Sequence, residues 1–441
     1  MRIEKRLSTS QIIILGFAAV ILFGTALLML PFATRDGGGA AFLDALFTAT
    51  SAVCVTGLIV HDTATYWSGF GQAVIISLIQ VGGMGVVTVA VAISTLAGRN
   101  IGLKERSTMQ EAVSAHKVGG IVRLTAFIIK MTILFELIGA AIMLPVFAKE
   151  FGFAKGLWYA LFHSISAFCN AGFDLMGIKS AYSSLTFFSA HPIINTAIMA
   201  LIIIGGIGFM TWDDIIQNRL RFKKYHMQSK VVIITSLLLI AVPALYFFLF
   251  EFSQNSFAER FWFSLFQSVT TRTAGFNTVD FSLISEAGLG IMMVLMLIGG
   301  SPGSTAGGMK TTTFAVMLST AVSVFQRKEH THFFGRRIAE ETIRNAATIL
   351  TMYITLFLCG GFIISRVESL PLITCLFETA SAVGTVGLTL GITPNLGTLS
   401  RCILIFLMYL GRVGGLTLIF SALSGIRGNT ARLPQEKLTV G

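Results

Sequence analysis

Eight long apolar stretches leave this chain few ways to fold. They lie near 10–32, 70–97, 121–148, 191–215, 230–252, 287–324, 346–366 and 399–424. Each approaches the roughly 20 residues with which a helix crosses about 30 Å of hydrocarbon. Four shorter, less apolar segments near 40–54, 155–169, 257–271 and 369–383 lie between the members of successive pairs. They are too short to span, and they end in glycine-containing loops. They read as re-entrant pore helices, which lipid tolerates only where their backbone lines a water-filled path. With 12% charged residues and 54% hydrophobic ones, the chain falls outside the soluble class, where about 25% are charged.

The net charge of +11 does not describe a nucleic-acid surface. The bases cluster in alternate gaps between the apolar stretches, which is how topology is encoded. Arg2, Lys5 and Arg6 precede the first stretch, and Arg99, Lys104, Arg106 and Lys117 follow the second. Arg219, Arg221, Lys223, Lys224 and Lys230 follow the fourth, and Arg327, Lys328, Arg336, Arg337 and Arg344 follow the sixth. Arg427, Arg432 and Lys437 follow the eighth. The expectation is a multi-pass protein with both termini in the cytoplasm and every re-entrant segment on the outer side. The basic N-terminus lacks a clear small-residue cleavage site, so it reads as a retained first helix. Cys54, Cys169, Cys359, Cys375 and Cys402 lie in or beside apolar segments, which argues against a disulfide framework.

A repeat underlies the pattern. "SAVCVTGL" (51–58), "SAFCNAGF" (166–173), "VTTRTAGF" (269–276) and "SAVGTVGL" (381–388) align on Gly57, Gly172, Gly275 and Gly387. Each is followed by an apolar stretch with a glycine cluster: "VGGMG" (81–85), "IGGIG" (204–208), "IGGSPG" (298–303) and "GRVGG" (411–415). The fold class expected is all-α integral membrane: four membrane–pore loop–membrane repeats with pseudo-fourfold symmetry around a single pore. The repeats divide the chain at 1–98, 99–216, 217–326 and 327–441.

A cation crossing lipid must exchange its water shell for other oxygens, and rings of backbone carbonyls do this in potassium-selective filters. Carbonyls turn inward in register only on unusual backbone, which glycine supplies without a Cβ clash. The candidate filter is Cys54, Val55, Thr56 and Gly57; Cys169, Asn170, Ala171 and Gly172; Thr273, Ala274 and Gly275; Thr385, Val386 and Gly387. Only the last holds the "TVG" of tetrameric potassium channels, so a single strong site is expected. Asp62, Asp174 and Asp280 follow three of the glycines and are candidates for an outer vestibule, against the alternative of ordinary solvated loop charge. Arg272 would repel a cation and is expected to point away and brace the third loop from behind. The clusters inside the apolar stretches read as close-packing glycines.

The sixth stretch is too long. As one helix, Glu286 to Val324 would measure roughly 57 Å at 1.5 Å per residue. "GGSPGSTAGGMKTTT" (299–313) is where it must break, since Pro302 and five glycines cannot hold a helix. It misses a phosphate loop because Met309 separates Gly308 from Lys310. The expectation is a flexible gate under the filter, built from Gly299, Gly300, Gly303, Ser304, Thr305, Ala306, Gly307, Gly308 and Lys310, with a passive kink as the alternative. Lys310 is expected to snorkel towards the cytoplasm. Arg412, at matching depth, could latch the loop by bonding its carbonyls. Lys130 and Glu136 read as a structural pair, or Lys130 as a snorkelling side chain.

No chemistry of an enzyme is evident. The seven histidines form no H-E-x-x-H or similar cluster, and no catalytic or resident metal site emerges. The four repeats run the same way, unlike the inverted repeats of many secondary transporters.

Taken together, these motifs resemble the Trk/Ktr/HKT superfamily of potassium transporters. The loop "GGSPGSTAGGMKTTT", the third filter "TRTAGF", "GRVGG" and the ending "LPQEKLTVG" resemble the potassium-translocating membrane subunits of its bacterial Ktr branch, over essentially the whole chain. The resemblance implies K+ as transported ion with Na+ as activator or co-ion, and no organic cofactor. It implies a homodimer in the bacterial cytoplasmic membrane, with one pore per subunit and Gly441 near the dimer interface. It also implies a cytoplasmic ring of RCK-type nucleotide-binding regulatory subunits, and the basic segment 327–344 is a candidate docking surface. In the family the intramembrane loop is the gate, matching Gly299 to Gly308, and an arginine matching Arg412 helps hold it closed. In plant members a serine in place of the first filter glycine goes with sodium transport. Gly57 therefore favours potassium, and a sodium or weakly selective cation pore is the rival reading.

Overall fold

The computed structural model describes residues 8–96, 102–112, 120–219 and 221–414. Arg2, Lys5, Arg6, Arg99, Lys117, Arg427, Arg432, Lys437 and Gly441 lie outside the described residues, as does the end of the eighth apolar stretch.

One sequence of elements recurs along the chain. First comes a long helix, then a short one that stops at a glycine loop, then a helix interrupted by glycine. The first set is α1 (Thr9–Leu28), α2 (Phe42–Val53), α3 (Gly69–Met84) and α4 (Val86–Leu96). A polar helix, α5 (Leu103–Ala112), leads to the second set: α6 (Ile121–Phe151), α7 (Phe153–Phe168), α8 (Pro192–Gly206) and α9 (Phe209–Asn218). The third is α10 (Met227–Tyr246), which continues as a π turn to Glu251, then α11 (Phe257–Thr270), α12 (Glu286–Leu297) and α13 (Thr311–Phe325). A hairpin of β1 (His332–Phe333) and β2 (Arg336–Arg337) precedes α14 (Glu340–Glu368), α15 (Leu372–Gly384) and α16 (Thr398–Val413).

Capping fixes several starts. The Ser8 side chain accepts from the Gln11 amide while Gln11 returns a bond to the Ser8 backbone, and Ser256 and Glu259 do the same for α11. Ser68 and Ser285 cap α3 and α12. The long helices α1, α6, Met227–Glu251 and α14 are apolar and long enough to cross a membrane. They keep large apolar side chains outward, among them Leu22, Phe23, Leu137, Leu237, Val242 and Phe362. Such a surface is stable in lipid and costly in water. The short helices form the interior, where Phe47, Phe162, Phe266 and Phe377 are buried.

The interruptions correct one expectation. A break was foreseen only in the sixth stretch, yet all four even-numbered stretches are broken or end at a glycine cluster. Gly85 (φ +87°) separates α3 from α4, and Gly208 (φ +92°) starts α9 at 97° to α8. Gly414 (φ +90°) ends α16. These values lie where a side chain is strained, so the position three residues after Gly82, Gly205 and Gly411 marks a turn in the backbone. Its predecessors do pack closely, as read from sequence. A methyl group on Gly82, Gly205 or Gly411 would strike the carbonyl oxygen of Val53, Phe168 or Val383 respectively. Each interrupted helix thus lies against the end of the short helix before it.

Candidate functional site

The four loops that follow α2, α7, α11 and α15 meet in a closed ring. A methyl group on Gly57 would meet the carbonyl oxygen of Ala171, one on Gly172 that of Ala274, one on Gly275 that of Val386, and one on Gly387 that of Thr56, all at 2.8 Å or less. Each glycine therefore abuts the carbonyl just before the next glycine, and the fourth returns to the first. No side chain fits at these positions.

The backbone alternates in hand as it passes the ring. The glycines have φ of +93°, +68°, +78° and +92°, and two residues earlier Val55, Asn170, Thr273 and Thr385 have φ of +57°, +58°, +71° and +52°. A β-branched residue in this region is a genuine outlier, and such strain persists only where the surroundings impose it. The surroundings here are hydrogen bonds from the short helices. The amides of Thr56, Ala171 and Val386 reach the carbonyls of Ser51, Ser166 and Ser381, each at 2.8 Å, and Ala274 reaches Thr270 at 3.0 Å. The hydroxyls of Ser51 and Ser381 accept from the amides of Gly57 and Gly387, at 3.0 and 2.9 Å. Those of Ser166 and Thr270 donate to the carbonyls of Phe173 and Phe276, at 2.7 and 2.6 Å.

These hydroxyls were not singled out from the sequence. Three open the aligned segments as Ser51, Ser166 and Ser381, a usable signal. In the third segment the equivalent is Thr270, one place later than the glycine alignment puts it, because that loop is one residue shorter.

Each short helix ends where its loop begins, so the negative end of its dipole faces the ring. Backbone oxygens held in fixed positions, with four helix C-termini behind them, make ligands for a monovalent cation stripped of water. Arg272 reaches back to the Ser236 hydroxyl on α10, at 3.4 Å.

The loop 299–310 occupies the gap between α12 and α13 and packs beneath this ring. A methyl group on Gly307 would strike the Thr385 hydroxyl, and the Thr305 hydroxyl donates to the Phe168 carbonyl at 2.9 Å. The amides of Ser301 and Thr305 bond the carbonyls of Gly206 (2.9 Å) and Gly205 (3.2 Å), and Gly308 bonds Gly411 at 3.2 Å. The loop's own ends are joined by Gly299 to Met309 at 2.8 Å and Thr311 to Gly300 at 3.0 Å. Arg412 donates to the carbonyls of Thr305 and Gly82, and to that of Gly83 at 3.1 Å. Lys310 does not snorkel freely: its ammonium turns back to the Ala306 carbonyl at 2.9 Å. A cavity of about 250 Å³ opens below, lined by Gly303, Ser304, Ala306, Lys310, Arg412 and Glu111 among others. Glu111 is held there by the hydroxyls of Thr9 and Ser10. The loop thus stands between the ring and this cavity.

The three acids differ from one another. Asp62 is buried, and its oxygens accept from the amides of Ala64, Thr65 and Tyr182 and from the Thr65 hydroxyl. It ties the loop after α2 to the loop after α7 rather than facing open space as expected. Asp280 is exposed and caps the turn at Phe281–Leu283. Asp174 accepts from the Met176 amide at 2.9 Å. Burial, and secondarily the nearby Asp62, push its carboxyl up to about 7. Lys130 and Glu136 do not pair: Lys130 is exposed, and Glu136 is buried and accepts from the Gln80 amide at 3.2 Å. The five cysteines are free.

The family model described as TrkH, cation transport protein, matches residues 4–425. The potassium/sodium uptake protein NtpJ of Enterococcus hirae is 40% identical, over 100% of this chain and 99% of its own. The Ktr system potassium uptake protein B of Bacillus subtilis is 39% identical, over 99% of this chain and 97% of its own. Among solved structures, the potassium transporter TrkH from Vibrio parahaemolyticus superposes with a TM-score of 0.73 at 21% identity, covering 95% of this chain and 86% of that one.

Proposed function

Since this chain belongs to the TrkH family of cation transport proteins and is no enzyme, we propose that it takes up potassium across the cytoplasmic membrane through the ring of four loops. The observation that carries this reading is the ring itself: Gly57, Gly172, Gly275 and Gly387 in head-to-tail contact, on backbone of alternating hand. A cation passing there loses water and gains carbonyl oxygens. One ring of four residues supplies one principal site, fewer than the row of sites in a longer filter. The four repeats surround this path with pseudo-fourfold symmetry, and Asp174 and Asp280 lie at its outer approach.

The loop 299–310 is the gate. It underlies the ring, and Arg412 fixes it to α3. Opening requires Thr305 to leave both Phe168 and Arg412. No nucleotide motif is legible in the sequence, so any nucleotide control comes from a partner; the resemblance to Ktr subunits supports a cytoplasmic ring of RCK-type nucleotide-binding subunits seated on the basic face that includes 327–344. Na+ stimulates uptake, the working unit is a homodimer, and both termini are cytoplasmic. The Ktr name of the Bacillus subtilis relative supports a multi-component system.

A second reading, transport of sodium or of both ions, is supported by the Enterococcus hirae relative, which is named a potassium/sodium uptake protein. The deciding experiment measures K+ and Na+ uptake into cells without their own potassium systems, with the regulatory partner and with or without external Na+. Sodium-stimulated K+ uptake that loses selectivity in Gly275→Ser supports the first reading. Na+ uptake, or indifference to Gly275→Ser, sinks it.

A further inference from the structure

Behind each loop of the ring, the short helix carries a second matched residue. Counting back three from the hydroxyl residues Ser51, Ser166, Thr270 and Ser381 gives Thr48, His163, Gln267 and Glu378. Counting back four gives Phe47, Phe162, Phe266 and Phe377. All eight are buried, and the phenylalanines confirm that the third segment is in register once its one-residue difference is allowed for. In a helix, positions three apart share a face. The polar residue therefore sits one turn from the hydroxyl, along the face past which the chain returns after the glycine.

Three of the four hold that returning chain. His163 accepts from the Leu175 amide at 3.3 Å through Nε2, while its Nδ1 bonds the Tyr159 carbonyl at 2.7 Å. Gln267 donates to the Thr278 hydroxyl at 3.0 Å. Glu378 accepts from two hydroxyls, Thr389 at 2.8 Å and Thr393. Those hydroxyls are 3.1 Å apart, and Thr389 also accepts from the Gly391 amide at 3.0 Å. The Thr48 hydroxyl has no hydrogen-bond partner. In the first repeat the returning chain is held instead by Asp62.

We propose that this set positions the filter, and that Glu378 in particular determines ion preference by holding the fourth segment in its strained form. This inference rests on the ring being the filter. Glu378 differs from its counterparts in grasping the returning chain twice, at Thr389 and Thr393, on either side of the turn at Gly391. The segment so held presents the Val386 carbonyl against Gly275 and keeps Thr385 at φ +52°. Releasing it lets the carbonyls of the fourth quadrant follow a smaller or larger ion. Loss of fit to one ion then appears as loss of discrimination, not as loss of protein.

The test uses the full chain with its regulatory partner in cells without other potassium uptake. KM and maximal rate are measured for K+ and for Na+, with inserted protein quantified. Glu378→Gln replaces one acceptor oxygen by a donor and keeps the shape. Thr393→Val removes one grip and leaves the carboxyl in place, and Thr393→Ser restores the grip. Glu378→Gln and Thr393→Val should each cut the K+ over Na+ preference in KM by up to about tenfold, the upper end of what one lost hydrogen bond gives. The double variant should be no worse than the stronger single one, and Thr393→Ser should behave as the unaltered protein. If Glu378→Gln fails to reach the membrane, Thr393→Val against Thr393→Ser decides alone. Unchanged preference in these variants, with preference lost in Gly387→Ser, overturns the positioning role and leaves the filter standing. Unchanged preference in Gly387→Ser as well overturns both.

Discussion

Replacing Arg412 by Gln tests the gate quantitatively. The guanidinium reaches three carbonyls, but only that of Thr305 belongs to the loop; those of Gly82 and Gly83 belong to α3. Only the Thr305 bond is broken when the loop moves, so only it enters the balance between closed and open. A hydrogen bond to a charged donor is worth about 1.5–3 kcal/mol. Its loss should favour the open loop by about 10- to 150-fold. The loop keeps its neutral ties to Gly205, Gly206 and Gly411, so closure is weakened and not abolished. Folding should survive, since the Gly82 carbonyl keeps the Gly85 amide at 3.1 Å. The assay is the initial rate of K+ uptake without the regulatory partner, where the unaltered protein should be nearly silent. A rise within that range is the expected result. An unchanged rate, with normal amounts of inserted protein, would refute the assignment of Arg412 as the latch.

Three further outcomes are expected. Deleting Gly303–Gly308 should raise uptake or free it from its partner; loss of uptake in a protein that still inserts would count against the gate. Asp174 is held near 7 in the folded protein against about 3.8 in an unfolded chain. Between those values the folded state holds the extra proton, so this group's contribution to stability is greatest below about 4 and is lost as pH rises to 7. If Asp174 lines the proposed outer approach, the carboxylate that would attract cations predominates only above about 7. K+ uptake at limiting concentration should therefore fall as external pH drops through 7, and Asp174→Asn should flatten that step in a pH series of uptake rates. Gly177→Ala would drive a methyl group into the Asp62 carboxylate. It should destabilise the detergent-solubilised protein by about 1–3 kcal/mol, measured as a lower thermal midpoint; an unaltered midpoint would show that the loops after α2 and α7 yield freely.

What could be read from the sequence depended on whether the signal was local. The ends of the short helices were legible within a few residues, because shorter apolar runs that end in a glycine-containing loop announce them. The break at 299–310 was legible because Pro302 and its glycines exclude a helix over that length. Gly85 and Gly208 were not, since one glycine inside an apolar run has the same local signature whether it packs or bends. Only the folded backbone distinguishes the two cases: Gly85 has φ +87°, while Gly82 packs against the Val53 carbonyl. Asp62 was misplaced for a related reason. Its partner Tyr182 is 120 residues away, and a buried acid that stitches two loops looks, in sequence, like a solvated one.

The loop beneath the ring belongs to one quadrant alone among the described residues. In an assembly of four identical chains any such obstruction would come in fours, and clearing the path would demand a concerted or stepwise release of all of them. Here the quadrants share one covalent chain and have been free to diverge. On the proposed gating role a single displacement would suffice, so the dependence of opening on its trigger at each path should be graded and of first order. Any steepness in the response of the whole system must then originate in whatever assembly acts on the loop from outside the membrane-embedded chain.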